Sequence, residues 1–76
     1  MNVDRIKEVL SKNNKVSFKL YSMDYIIELE NNMLILYSPT YPNDKRRYKD
    51  INTLLSAFKV YNETLIEVDS RIENIE

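Results

Sequence analysis

The chain contains no cysteine, no histidine, no glycine and no tryptophan. Without cysteine there is no disulfide, no thiolate nucleophile and no sulfur ligand for a metal. Without histidine the chain lacks the commonest metal ligand and the usual general base near neutral pH. Without glycine neither the Walker-type nor the dinucleotide-type phosphate loop can be built, and an EF-hand loop lacks its turn residue. Positive-φ positions in turns and helix caps must therefore fall to other residues. Asparagine suits them, and Asn13, Asn14, Asn31, Asn32, Asn43 and Asn62 are at hand. No apolar run approaches the roughly 18 residues that span a bilayer. The opening Met1-Asn2-Val3-Asp4-Arg5 lacks the apolar core of a secretory signal. The expectation is a cytoplasmic protein, in a bacterial or an infected host cell, with no membrane partner.

What is present fits one small α+β domain over residues 1–76, stabilised by apolar packing or by a partner. The net charge of −1 conceals sorted blocks. Arg5, Lys7, Lys12, Lys15 and Lys19 dominate the start; Asp24, Glu28, Glu30 and Asp44 follow without a base among them. Lys45, Arg46, Arg47, Lys49 and Lys59 form a basic block, and Glu63, Glu67, Asp69, Glu73 and Glu76 an acidic end. A chain sorted in this way can present a basic and an acidic face.

Val3, Ile6, Val9 and Leu10 recur at helical spacing, which predicts a helix over 2–12 capped by Asn2 and ended by Asn13-Asn14. Alternating apolar residues then predict a three-stranded antiparallel meander over about 15–21, 24–30 and 33–38. A turn at Asn31-Asn32 sets Leu29 against Leu34 and Ile27 against Leu36. A turn at Ser22-Met23 sets Leu20 against Tyr25, Phe18 against Ile27 and Val16 against Leu29. Both registers gather Val16, Phe18, Leu20, Tyr25, Ile27, Leu29, Leu34 and Leu36 on one face. Residues 38–49, with Pro39 and Pro42, read as a loop in which 46–49 can add a short edge strand. Asp50 caps a short helix over about 51–59, and Leu65, Val68, Ile72 and Ile75 predict a second over about 63–74.

Four groups of residues invite a functional reading. Glu28 and Glu30 lie on the same side of one strand and suggest a carboxylate pair. A general acid needs an enclosing pocket, however, and a solvated strand face accounts for them more simply. No catalytic residue, metal ligand or cofactor is nominated. The outer sheet face, with Tyr21, Ile26, Glu28, Glu30, Met33, Ile35 and Tyr37, is rich in interface residue types. It either lies under the last helix or meets a partner, including a second copy of the chain. Glu67, Asp69 and Glu73 on that last helix are either solvated or a surface for a basic groove. Tyr41, Lys45, Arg46, Arg47, Tyr48 and Lys49 interleave aromatics with cations, as single-stranded nucleic acid prefers. Four cations give only weak, salt-sensitive binding, and a solvated loop with Tyr48 turned inward is the simpler account.

The order of helix, three-stranded sheet and helices, with Met1-Asn2-Val3-Asp4-Arg5-Ile6 and Leu55-Ser56-Ala57-Phe58-Lys59, resembles small phage-encoded anti-CRISPR proteins that inhibit Cas9. None of these residues forms a functional motif, so no residue role is carried over. The resemblance implies a small inhibitor that binds a larger protein, such as a CRISPR effector. The expected function is a non-enzymatic protein-binding module; the alternative is a nucleic-acid-binding module using the basic segment 45–49.

Overall fold

The apolar stripe of Val3, Ile6, Val9 and Leu10 is the buried side of helix α1 (Asn2–Asn13). The computed structural model describes all residues from Met1 to Glu76. Helix α1 ends where Asn14 takes the left-handed conformation (φ 58°, ψ 16°) and its N–H bonds the Leu10 carbonyl at 2.8 Å. Its beginning differs from expectation. Asn2 is the first helical residue, and Met1, at the cap position, offers no side-chain acceptor. The acceptor is instead the Asp69 carboxylate, which takes the Asn2 N–H at 3.2 Å and the Val3 N–H at 2.7 Å. The Asn2 side-chain amide donates to the carbonyls of Asp69 and Ile72. The two ends of the chain are thereby tied together.

Strands β1 (Lys15–Leu20), β2 (Met23–Glu30), β3 (Met33–Ser38) and β4 (Tyr41–Tyr48) form one antiparallel meander in that order. The β2–β3 register is the expected one, with Leu29 opposite Leu34 and Ile27 opposite Leu36. The β1–β2 register differs by two residues: Val16 pairs with Ile27, Phe18 with Tyr25 and Leu20 with Met23. The turn is Tyr21-Ser22, not Ser22-Met23. A slip of two keeps every side chain on its expected face, but it leaves Leu29 beyond the end of β1. The Leu29 N–H bonds the Asn14 carbonyl, and its side chain is 46% exposed.

Type I′ hairpin turns need positive φ at both central positions. Here Tyr21-Ser22 (50°, 64°), Asn31-Asn32 (51°, 64°) and Tyr61-Asn62 (51°, 67°) supply it. Asparagine tolerates that conformation; tyrosine does so at a steric cost.

The expected loop over 38–49 is mostly strand β4. Pro39 occupies the β3–β4 turn. Pro42 is accommodated because β4 is an edge strand, where a missing N–H breaks no ladder bond on the open side. Leu34, Ile35 and Leu36 pair with Tyr48, Arg47 and Arg46, and the register then shifts before Ser38 meets Tyr41.

Asp50 caps α2 (Ile51–Ala57) as expected, its carboxylate accepting the Thr53 N–H at 2.7 Å. The helix expected over 63–74 is absent. Strands β5 (Lys59–Val60) and β6 (Glu63–Thr64) form a small hairpin, followed by turns and a 3-10 segment, Asp69–Arg71. Leu65, Val68 and Ile72 are buried all the same. The final segment runs along β1: Lys19 and Glu73 exchange two backbone bonds, at 2.7 and 2.8 Å, and the Glu76 N–H donates to Ser17.

The core lies on one side of the sheet, between β1–β3, α1, α2 and the C-terminal segment. Ile6, Val16, Leu20, Ile27, Leu54 and Leu65 are fully buried there. Each such side chain contributes about 1.5–3 kcal/mol relative to exposure.

Candidate functional site: the outer sheet face and the β4 edge

Alternation places Ile26, Glu28 and Glu30 of β2, and Met33, Ile35 and Tyr37 of β3, on the face away from the core. The absent C-terminal helix leaves this face without a covering element. It does not present a bare apolar patch: its central residue is buried and charged side chains stand among the apolar ones. Ile35 is only 3% exposed, whereas Ile26, Met33 and Tyr37 are half-buried and Glu30 is exposed. A polar ladder crosses all four strands. Lys15 Nζ lies 3.6 Å from Glu28 Oε1, the Tyr37 hydroxyl donates to the same oxygen at 2.9 Å, and Lys45 Nζ sits 5.1 Å from the Tyr37 ring centre. The hydrogen bond to Glu28 raises the Tyr37 pKa, with desolvation and the carboxylate charge adding to it. Glu28 is therefore the acceptor within this ladder, while Glu30 stands exposed beyond it.

Tyr21 departs from the outer face altogether. In its turn it packs against the core margin, 5.4 Å from the Tyr61 ring, with the Arg71 guanidinium 5.9 Å from its centre.

The basic block is split by strand alternation. Lys45 reaches Tyr37 on the outer face, and Arg47 pairs with Ile35 there. Arg46 lies over the Phe58 ring at 5.9 Å, and Tyr48 packs half-buried against the core. Tyr41 is 59% exposed at the start of the strand. The ion pairs of the chain are Met1 with Asp4, Arg5 with Glu8, Lys15 with Glu28 and Lys19 with Asp24. Lys45, Arg46, Arg47 and Lys49 take part in none of them. The signal for this edge in the sequence is the pair Pro39 and Pro42 ahead of the cations Lys45, Arg46, Arg47 and Lys49, which fits an edge strand as well as a loop.

The acidic C-terminal candidates have local employment. Glu67 accepts the Thr64 N–H at 2.9 Å while its own N–H donates to Thr64 Oγ1, a capping box on the turn that follows β6. The Thr64 bonds hold the Glu67 carboxyl below its ordinary range. Asp69 caps α1. Glu73 joins β1 through its backbone, leaving its side chain exposed. They do not share a helical face.

Two shallow grooves flank the sheet on its core side. One, of about 260 Å³, lies among Leu10, Leu29, Leu34 and Ile51 with Lys7 and Lys49 at its rim. The other, of about 200 Å³, lies inside β4 among Tyr25, Leu36, Tyr41, Arg46, Phe58 and Val60. Burial raises the Tyr25 pKa, and the nearby Tyr61 adds to the effect. No group of three or more Asp or Glu side chains converges as a metal would require, and no helix is long and apolar enough to cross a membrane.

Compared with known proteins, the chain matches no family model, no curated sequence and no solved structure.

Proposed function

We propose that this protein is a small non-enzymatic binding module that acts by contact with a larger protein through its outer sheet face. The carrying observation is that this four-stranded face, with Ile26, Met33, Ile35 and Tyr37 at its centre, has no element of the chain over it. Half-buried Ile26, Met33 and Tyr37 interleaved with charged side chains match the residue types of protein interfaces. The resemblance to anti-CRISPR proteins supplies a partner class, a larger nucleic-acid-binding effector that the module inhibits. The acidic C-terminal surface drops out of this proposal, since Glu67 and Asp69 are engaged within the chain.

A second reading is a single-stranded nucleic-acid binder using the cations of β4, favoured by their lack of carboxylate partners. It ranks lower because Arg46 and Tyr48 face the core side while Lys45 and Arg47 face outward, so cations and aromatics do not share one stacking surface.

Affinity capture from a bacterial host lysate, followed by titration of the retained protein in pure form, tests the proposal. Ile26→Lys and Met33→Glu are the informative variants. Ile35→Asp is not, because Ile35 is buried and a charge there perturbs folding. Capture that is lost in both variants at unchanged melting temperature supports the face. Capture that both variants retain removes it, and self-association lost in the same variants redirects it to a homodimer. Tight, salt-sensitive binding of an oligonucleotide with no protein captured favours the second reading.

A further inference from the structure

We infer that the open edge of β4 accepts an extended acidic segment of a partner protein as a fifth strand of the sheet. This rests on the protein-binding reading and names the partner's chemistry.

The two edges of the sheet are not equivalent. Along β1, the N–H and C=O of Lys19 are taken by Glu73, and the Ser17 carbonyl accepts the Glu76 N–H. Along β4, the last strand in the order, no segment lies alongside. The hairpin turn at Asn31-Asn32 makes Glu30 and Met33 a hydrogen-bonded pair, and such pairs alternate along antiparallel strands. Leu34 and Leu36 therefore direct their backbone groups toward Tyr48 and Arg46, and the N–H and C=O of Arg47 point away from β3 into solvent. The same alternation turns Lys45 outward. Pro42, without an N–H, and the register shift after Leu36 bound the usable edge on its other side.

The charge on this edge selects the occupant. Lys45, Arg46, Arg47 and Lys49 stand on or beside it in no ion pair, and Asp44 is the one acid on the strand. A second copy pairing β4 with β4 would set these cations against one another, which opposes a dimer through the edge. An acidic strand would set carboxylates opposite them. In strand addition the main-chain bonds supply affinity and pockets for alternate side chains supply specificity. The groove of about 200 Å³ among Tyr25, Leu36, Tyr41 and Phe58 lies on the core side of β4 and receives an apolar side chain of the incoming strand.

The test uses the full chain, labelled with nitrogen-15, and the peptide acetyl-Glu-Val-Glu-Leu-Glu-Val-Glu-amide at low salt. The expected result is saturable binding, slowed amide exchange at Arg47 and Lys45, and weakening of about tenfold or more in Arg47→Pro. The double variant Lys45→Glu with Arg47→Glu leaves the backbone donors in place and is expected to lose binding as well, which covers the case in which Arg47→Pro fails to fold. A peptide N-methylated at alternate residues keeps its charge but loses its strand hydrogen bonds, so equal binding of that peptide overturns the inference. So does equal binding of the Glu→Gln peptide, absence of binding at low salt, or displacement of the peptide by an oligodeoxythymidylate that binds more tightly. The two proposals fail separately. Partner capture lost in Ile26→Lys but untouched by Arg47→Pro refutes the edge and leaves the face. Peptide addition to β4 with no captured partner refutes the face and leaves the edge.

Discussion

The Asp69 carboxylate accepts the Val3 N–H at 2.7 Å across 66 positions of sequence. It does for α1 what a neighbouring Ser or Asp does for most helices, and its negative charge also meets the positive end of the helix dipole. Asp69→Ala is expected to cost about 1–2 kcal/mol in urea unfolding, and Asp69→Asn, which retains an acceptor, less. Amide exchange at Asn2 and Val3 should quicken in the alanine variant. Equal stability of all three proteins would show that the cap contributes nothing.

The two strained tyrosines should answer the same substitution with opposite signs. Tyr61 is 81% exposed and takes a left-handed conformation that costs a non-glycine residue roughly 1–2 kcal/mol. Tyr61→Asn is expected to raise stability by about 0.5 kcal/mol, the relief being partly offset by the lost contact with Tyr21. Tyr21→Asn relieves the same strain but gives up packing against the core and Arg71, and it should lower stability. Thermal unfolding of both variants decides.

Acid weakens the fold through two surface caps. Hydrogen bonds from Thr53 and Thr64 hold the Asp50 and Glu67 carboxyls below their ordinary values of 3.8 and 4.5. Their contribution is therefore present above those ordinary values and is lost as pH falls through the lower folded-state values. Asp50→Ser, which keeps a capping oxygen, combined with Glu67→Gln should flatten the acid side of a pH–stability profile. An unchanged slope would assign acid sensitivity to other carboxylates.

At the alkaline end the sign reverses. Tyr37 must keep its proton to donate to Glu28, and its pKa is raised above 10.0. The stabilisation is complete below the ordinary tyrosine value and disappears as pH rises through the folded-state value. Comparing ultraviolet titrations of the wild type and Tyr37→Phe isolates this group. The difference curve should have a midpoint above the ordinary value, returning toward it in Glu28→Leu.

Burial was easier to read in the sequence than hydrogen bonding. Leu65, Val68 and Ile72 are buried as their helical spacing implied, yet Leu65 and Val68 lie on turns and Ile72 is extended. Thr64 is already engaged in the β5–β6 hairpin, Asp69 is drawn off to cap α1, and Asn74 turns left-handed at φ 52°. The β2–β3 turn was legible because Asn31-Asn32 is favourable turn chemistry, whereas Tyr21-Ser22 carries no such signal. The β4 strand was hidden because an exposed edge has no alternation of apolar residues to display. Of the candidate site, the outer-face membership of Ile26, Glu28, Met33, Ile35 and Tyr37 followed from strand alternation. The engagement of Glu67 and Asp69 is tertiary and has no local trace.

The closure of β1 by residues 73–76 also bears on how far the sheet can extend by strand addition. A sheet with two free rims can grow without limit, each added copy offering the rim that receives the next. Here residues 73–76 occupy the β1 rim, so β4 is the rim left open. Copies of this chain therefore cannot propagate into a filament from the β4 rim of one to the β1 rim of the next.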